Sequence, residues 1–140
     1  MENRSDKTAQ GYILQAGEGL SGDSSLKASA ASTAGGLTVI ESKTTGGAPL
    51  HVHTREDEYF YVLEGILSIR LGDETFEAGA RSFVFLPRNV PHEWDVIGEE
   101  ATLLLLTAPA GLDAFLNEYH AAESKEARDQ VAAKYGIRFL

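Results

Sequence analysis

The chain has 140 residues, with 21 acidic against 12 basic side chains, a formal charge of −9, and no cysteine. That balance excludes a nucleic-acid partner, which requires clustered Lys and Arg, and the missing thiols exclude disulfide or thiolate–zinc staples. At this length and 43% apolar content the chain can hide roughly two-thirds of its extended surface, enough for one self-sufficient core.

Met1–Gln10 is polar, with no hydrophobic leader, and every apolar run is far shorter than the ~20 residues that span a bilayer. A soluble cytoplasmic protein without a membrane partner is expected. Ala16–Gly36, rich in Ser, Ala and Gly, reads as a loop containing one weak strand, Leu26–Ala30. Short segments rich in β-branched and aromatic residues follow: Leu37–Lys43, Tyr59–Leu63, Ile66–Leu71, Thr75–Glu77, Ser82–Leu86, Glu93–Ile97 and Thr102–Thr107. Glu64-Gly65 is expected to be a two-residue hairpin loop, and Gly72-Asp73 and Ala78-Gly79 mark further turns. This spacing predicts an all-β sandwich or barrel over about residues 12–108.

After Pro109 the period changes. Leu112, Phe115, Leu116 and Tyr119 form one helical stripe. A second helix starts at Ser124 as N-cap, has Glu126 in its first turn and stops at Gly136, with Ala127, Val131 and Tyr135 on one face. These helices, over about residues 110–136, are expected to pack outside the barrel within one domain spanning 1–140.

His51-Val52-His53 puts two imidazoles on one face of an extended chain, where they can meet one metal ion. The acidic run Glu56-Asp57-Glu58 follows, and local reasoning does not choose among its three carboxylates. His92 lies 39 residues beyond His53, past Pro87 and Pro91.

His51-x-His53-x4-Glu58-x6-Gly65 resembles the first motif of the cupin family at every position, and Pro87-x-Asn89-x2-His92 resembles the second, with Asn in place of Gly. Asn is the non-Gly residue that best tolerates the left-handed region, so the exchange is mild. The family's glycine six residues before the first His is Thr45 here, with Gly46 one step late. The glycine six before Pro87 is Arg81, with Gly79 upstream, which suggests a shifted turn or bulge, and the Asn that can end the second motif is Val96. Pro49–Gly65, Phe83–His92, Ala108–Phe115 and Tyr135–Phe139 are similar to bacterial single-domain quercetin 2,3-dioxygenase-like cupins.

The resemblance implies a jelly-roll (double-stranded β-helix) barrel in which His51, His53, Glu58 and His92 hold one divalent transition metal ion. A mixed N/O donor set does not discriminate among Mn, Fe, Co, Ni, Cu and Zn. It further implies a homodimeric dioxygenase that cleaves a flavonol-like or other enolic small molecule with O2, Glu58 serving as both ligand and base. The alternatives are a non-oxidative isomerase or polyketide-type cyclase, and a stand-alone small-molecule binding module. Strand parity turns Phe60 and Val62 inward with Glu58, and Trp94 inward with His92, so Phe60 and Trp94 are either substrate contacts or barrel core. Tyr59 and Tyr61 then face outward, beneath the helices or in a dimer seam. His120 is expected to face solvent, and Arg55 and Arg88 either steer an anionic substrate or serve surface solubility.

Overall fold

A computed structural model describes residues 9–140; most of Met1–Gln10 lies outside them. Eight strands and two helices follow one another: β1 (Leu26–Ala28), β2 (Thr38–Thr44), β3 (Ala48–His53), β4 (Asp57–Leu71), β5 (Glu74–Ala78), β6 (Phe83–Leu86), β7 (His92–Ala108), α1 (Leu112–Ala121), α2 (Lys125–Lys134) and β8 (Ile137–Phe139). The strands pair in the order β1-β2-β7-β3-β8, and β4 pairs with β5, β6 and β7. The result is a mostly β barrel with two C-terminal helices, the architecture that the sequence motifs imply.

Two long strands carry the barrel. β4 and β7 pair antiparallel from Asp57↔Ala108 to Leu71↔His92. The expected hairpin at Glu64-Gly65 is absent, and the chain runs on through it as a bulge. Glu58, Phe60 and Val62 point inward before it, whereas Leu67 and Ile69 do so after it, so one extra residue has flipped the alternation. Gly65 takes φ 88°, and a Cβ there would lie 2.7 Å from the Glu100 carbonyl oxygen, so only glycine lets the strands bend together. Glu93–Ile97 and Thr102–Thr107 likewise merge into β7. Phe60, Val62, Leu67, Ile69, Leu86 and Leu103 form the barrel core.

Two second-motif positions are settled by backbone angles. Asn89 adopts φ 68°, the left-handed conformation expected for a Gly replacement. Arg81 itself adopts φ 71°, so the turn is not shifted toward Gly79. The tightest approach near the first motif is at Gly47, where a Cβ would collide with the Trp94 carbonyl oxygen and hold β3 away from β7.

The helices form a cap that is sewn to the barrel. Ser124 Oγ accepts the Ala127 amide at 3.0 Å, closing the N-terminus of α2. The buried Thr38 hydroxyl accepts the Gly111 amide and donates to Asp113, anchoring α1. Thr54 and Arg55 bind the carbonyls of Gly136 and Lys134, so Arg55 caps α2 rather than reaching toward a ligand. β8 then joins the edge of β3, pairing Phe139 with His51 and Ile137 with His53. Leu112, Phe115, Ala132 and Ile137 bury a second small core beneath the cap.

Tyr59 and Tyr61 do not lie beneath these helices. They sit on the outer face of β4, where Tyr59 stacks on Phe85 at 5.2 Å between ring centroids. Among the described residues no helix is long and apolar enough to cross a membrane.

Candidate functional site

Three stretches of backbone bring His51, His53, Glu58 and His92 together. β3 delivers both imidazoles of its alternate positions to the barrel interior, and His92 stands directly opposite His51 in the β3–β7 pair. β4 delivers Glu58, whose neighbours across the ladder are Thr107 and Leu86. One ligand-type atom from each of the four side chains lies within 4.8 Å of the other three, and all four residues are buried.

The acidic run separates by parity. Glu58 turns inward, its Oε1 3.1 Å from His92 Nε2 and 3.5 Å from His53 Nε2. Asp57 turns outward and is gripped by Arg88, which holds its carboxyl below the usual carboxylate range. Arg88 is thereby committed to Asp57. Glu56, at the end of the turn, folds back and accepts from His53 Nδ1 at 2.7 Å.

Hydrogen bonding fixes how the imidazoles face the centre. His51 Nδ1 donates to the Pro49 carbonyl at 2.6 Å, and His53 Nδ1 donates to Glu56. Their Nε2 atoms are therefore lone-pair atoms when the rings are neutral, and they stand 3.1 Å apart. Two lone pairs at that distance repel unless a proton or a cation lies between them. Burial and the neighbouring His92 push His51 down to about 4. Burial also opposes charge on His53, but the Glu56 hydrogen bond and the charges of Glu58 and Glu56 outweigh it and raise its pKa. For Glu58 burial favours the neutral acid, yet the His92 hydrogen bond and the flanking imidazoles keep it below its usual range. Charge is thus favoured on His53 and Glu58 and opposed on His51. Three imidazole nitrogens and a carboxylate oxygen, buried and facing one another, fit a divalent metal ion. His92 Nδ1 is buried with no hydrogen-bond partner among the described residues.

His51, His53 and Glu58 form the floor of a cavity of about 360 Å³, while His92 is fully buried and does not line it. Trp94 and Leu105 line its barrel side, and Phe115, Leu116 and Tyr119 of α1, with Phe139 of β8, form the facing wall. Rings run from floor to mouth: His51 to Phe139 at 5.6 Å, Phe139 to Tyr119 at 5.7 Å, and Tyr119 to His120 at 6.3 Å. His120 is exposed as expected, yet it borders the cavity mouth. Trp94 reaches the cavity. Phe60 does not: it is fully buried in the barrel core with its ring edge-on to Trp94, because two residues along β4 from Glu58 carry it deeper into the barrel. The cap residues were readable as a helical stripe, but periodicity alone says which residues are buried and not what they cover.

Residues 38–108 match the family model described as Cupin domain. Over 74 residues the chain is 30% identical to SCO3923, an uncharacterised protein of Streptomyces coelicolor, covering 53% of this chain and 68% of that one. Two solved structures share the fold. KdgF from Halomonas sp. is 21% identical, with a TM-score of 0.53 over 57% of this chain and 74% of its own. Pac13 of Streptomyces, a nucleoside dehydratase, is 22% identical, with a TM-score of 0.50 over 57% of this chain and 65% of its own. The family match ends at Ala108, before the cap begins.

Proposed function

The chain belongs to the cupin family, and on that premise we propose that it is a metal-dependent enzyme acting on a flavonol-like or other enolic small molecule with O2 as co-substrate. The observation that carries this reading is the convergence of His51, His53, Glu58 and His92, three of which, His51, His53 and Glu58, open onto an aromatic-lined cavity. In this proposal those four side chains hold one divalent transition metal ion, which supplies positive charge to stabilise an anionic substrate oxygen. Glu58 is the base that takes the enolic proton: its carboxylate is kept ionised, and His92 is within hydrogen-bond reach to steady it. Trp94, Tyr119 and Phe139 offer faces to a flat ring system, and Leu105 and Phe115 keep water from the reacting edge.

The test is elemental analysis of freshly purified protein, followed by an oxygen-electrode screen of flavonols and related enols with the metal-loaded protein. Metal at one equivalent and O2 uptake matched to substrate loss are expected. Product formed equally fast without oxygen would overturn the oxidative chemistry in favour of an isomerase or cyclase. Stoichiometric binding without turnover would favour a binding module.

A homodimer is part of the same proposal. β6 pairs only with β4 among the described residues, so its outer edge is open, and Phe83 beside it is 64% exposed. Phe83, Phe85, Tyr61 and Leu63 are exposed on one face, with Tyr59 stacked on Phe83 and Phe85, an apolar surface of the kind that forms the core of an interface covering roughly 800 Å² per partner. An open edge beside an apolar face suits a second copy of the same strand. Sedimentation velocity should give a dimer for the wild type and a monomer for Phe83→Glu; a monomeric wild type would remove this part.

A further inference from the structure

The site contains a second buried carboxylate. Glu56 is 6% exposed, and His53 is the side chain that pairs with it among the described residues. An ionised carboxylate in such a place costs several kcal/mol unless positive charge compensates it, and the neighbouring guanidiniums are committed elsewhere, Arg88 to Asp57 and Arg55 to the Lys134 carbonyl. Glu56 and Glu58 together place two carboxyl groups at the cluster, the number whose charges one divalent cation would cancel.

The three imidazoles are supported unequally. His51 donates to a neutral carbonyl, His53 to a carboxylate, and His92 Nδ1 to nothing among the described residues. A carboxylate behind an imidazole fixes the ring's tautomer and orientation and strengthens its other nitrogen as a donor. We infer that Glu56 is a positioning residue, which locks His53 with its proton on Nδ1 and its Nε2 lone pair toward the centre, and supplies the second charge that matches the site to a divalent ion. The inference rests on the proposed reading of the cluster as a metal centre.

Glu56→Ala removes both the lock and the charge. Glu56→Gln is isosteric and keeps an oxygen that can accept from Nδ1, but it removes the charge. Zn²⁺ titrated calorimetrically into the metal-stripped full chain should bind about 10–100-fold more weakly to Glu56→Ala than to wild type. Glu56→Gln should fall between them, at least several-fold weaker than wild type. Nitrogen-15 NMR of the imidazoles in metal-free protein should show the Nδ1–H tautomer of His53 in wild type and Glu56→Gln, and a mixture in Glu56→Ala. A merely structural side chain would alter the melting temperature without moving that tautomer signature. Glu56→Gln binding Zn²⁺ within twofold of wild type overturns the charge role, and an unchanged His53 tautomer in Glu56→Ala overturns the lock. If Glu56→Ala fails to fold, the isosteric variant carries the affinity test and its own His53 signature carries the other. His92→Ala separates the two layers of argument. If it binds Zn²⁺ as tightly as wild type, the metal-centre reading falls. If it loses Zn²⁺ while Glu56→Gln does not, only the role of Glu56 falls.

Discussion

The floor and the wall of the cavity differ in nearly every physical respect. The floor is polar and buried, held by the ladder bonds of β3, β4 and β7, and lies within the span that matches the family model. The wall is aromatic and comes from one helix and one three-residue strand beyond that span. Backbone hydrogen bonds fix atoms to within fractions of an ångström, as metal ligands and proton transfer require. Side chains on a packed helix set a shape, and that shape can change while the floor stays put. The difference teaches that reactivity and selectivity are carried by separate parts of this chain.

The largest expected effect breaks the floor alone. His51→Ala or His92→Ala should abolish stoichiometric metal while leaving the circular dichroism of the barrel nearly unchanged; undiminished metal in both variants would contradict the ligand assignment. Glu58→Gln should come next. It keeps an oxygen donor but not the base, so metal content should persist in part while turnover falls about 10²-fold or more. Unchanged turnover would remove the base role.

Changing the wall should do the reverse. Leu116→Trp adds bulk on the cavity side of α1, and it should raise KM by roughly tenfold with metal stoichiometry unaltered. Loss of metal in that variant would mean that wall and floor are not separable. The smallest effect is on pH. His51 is pushed from 6.5 down to about 4, so its neutral form stabilises the fold fully above 6.5 and this stabilisation is lost as pH falls toward 4. His53 is shifted the other way, and its contribution is complete below 6.5 and lost only as pH rises above that. Between pH 7 and pH 5 the two shifts act in opposite senses, so the His51 contribution is read as the difference in pH dependence of stability between metal-stripped wild type and His51→Asn, at most about 3 kcal/mol. The same pH dependence in both proteins would show that His51 is not held neutral.

The floor was legible in the sequence because its ligands are local in two places. His51 and His53 share a face by strand parity, and Glu58 and His92 sit at motif spacing from them. The chain was also readable where turns carry their own chemistry: the Gly72-Asp73 turn, the Ser124 cap and the left-handed Asn89 all fall where expected. Gly65 was not. A glycine between two apolar runs looks the same in a hairpin as in a bulge, and only the partner strand β7, running alongside without a break, decides between them. Arg81 was misread because its left-handed backbone is imposed by the turn and not by its side chain. β8 escaped notice since three residues are too short for any period, and their place beside His51 is a matter of tertiary pairing. The different roles of Glu56, Asp57 and Glu58 depend on where His53 and Arg88 stand, which no local pattern encodes.

Trp94 is the chain's only tryptophan, and it lines the same cavity as His51, His53 and Glu58. Its emission is consequently a built-in gauge of that space. An open-shell ion such as Cu(II) or Ni(II) arriving at the floor should darken it, and a flat absorbing ligand entering from the mouth should do so again, in a separate step. Loading order and occupancy can thus be followed by light in the unlabelled protein, with no dye attached and no residue exchanged.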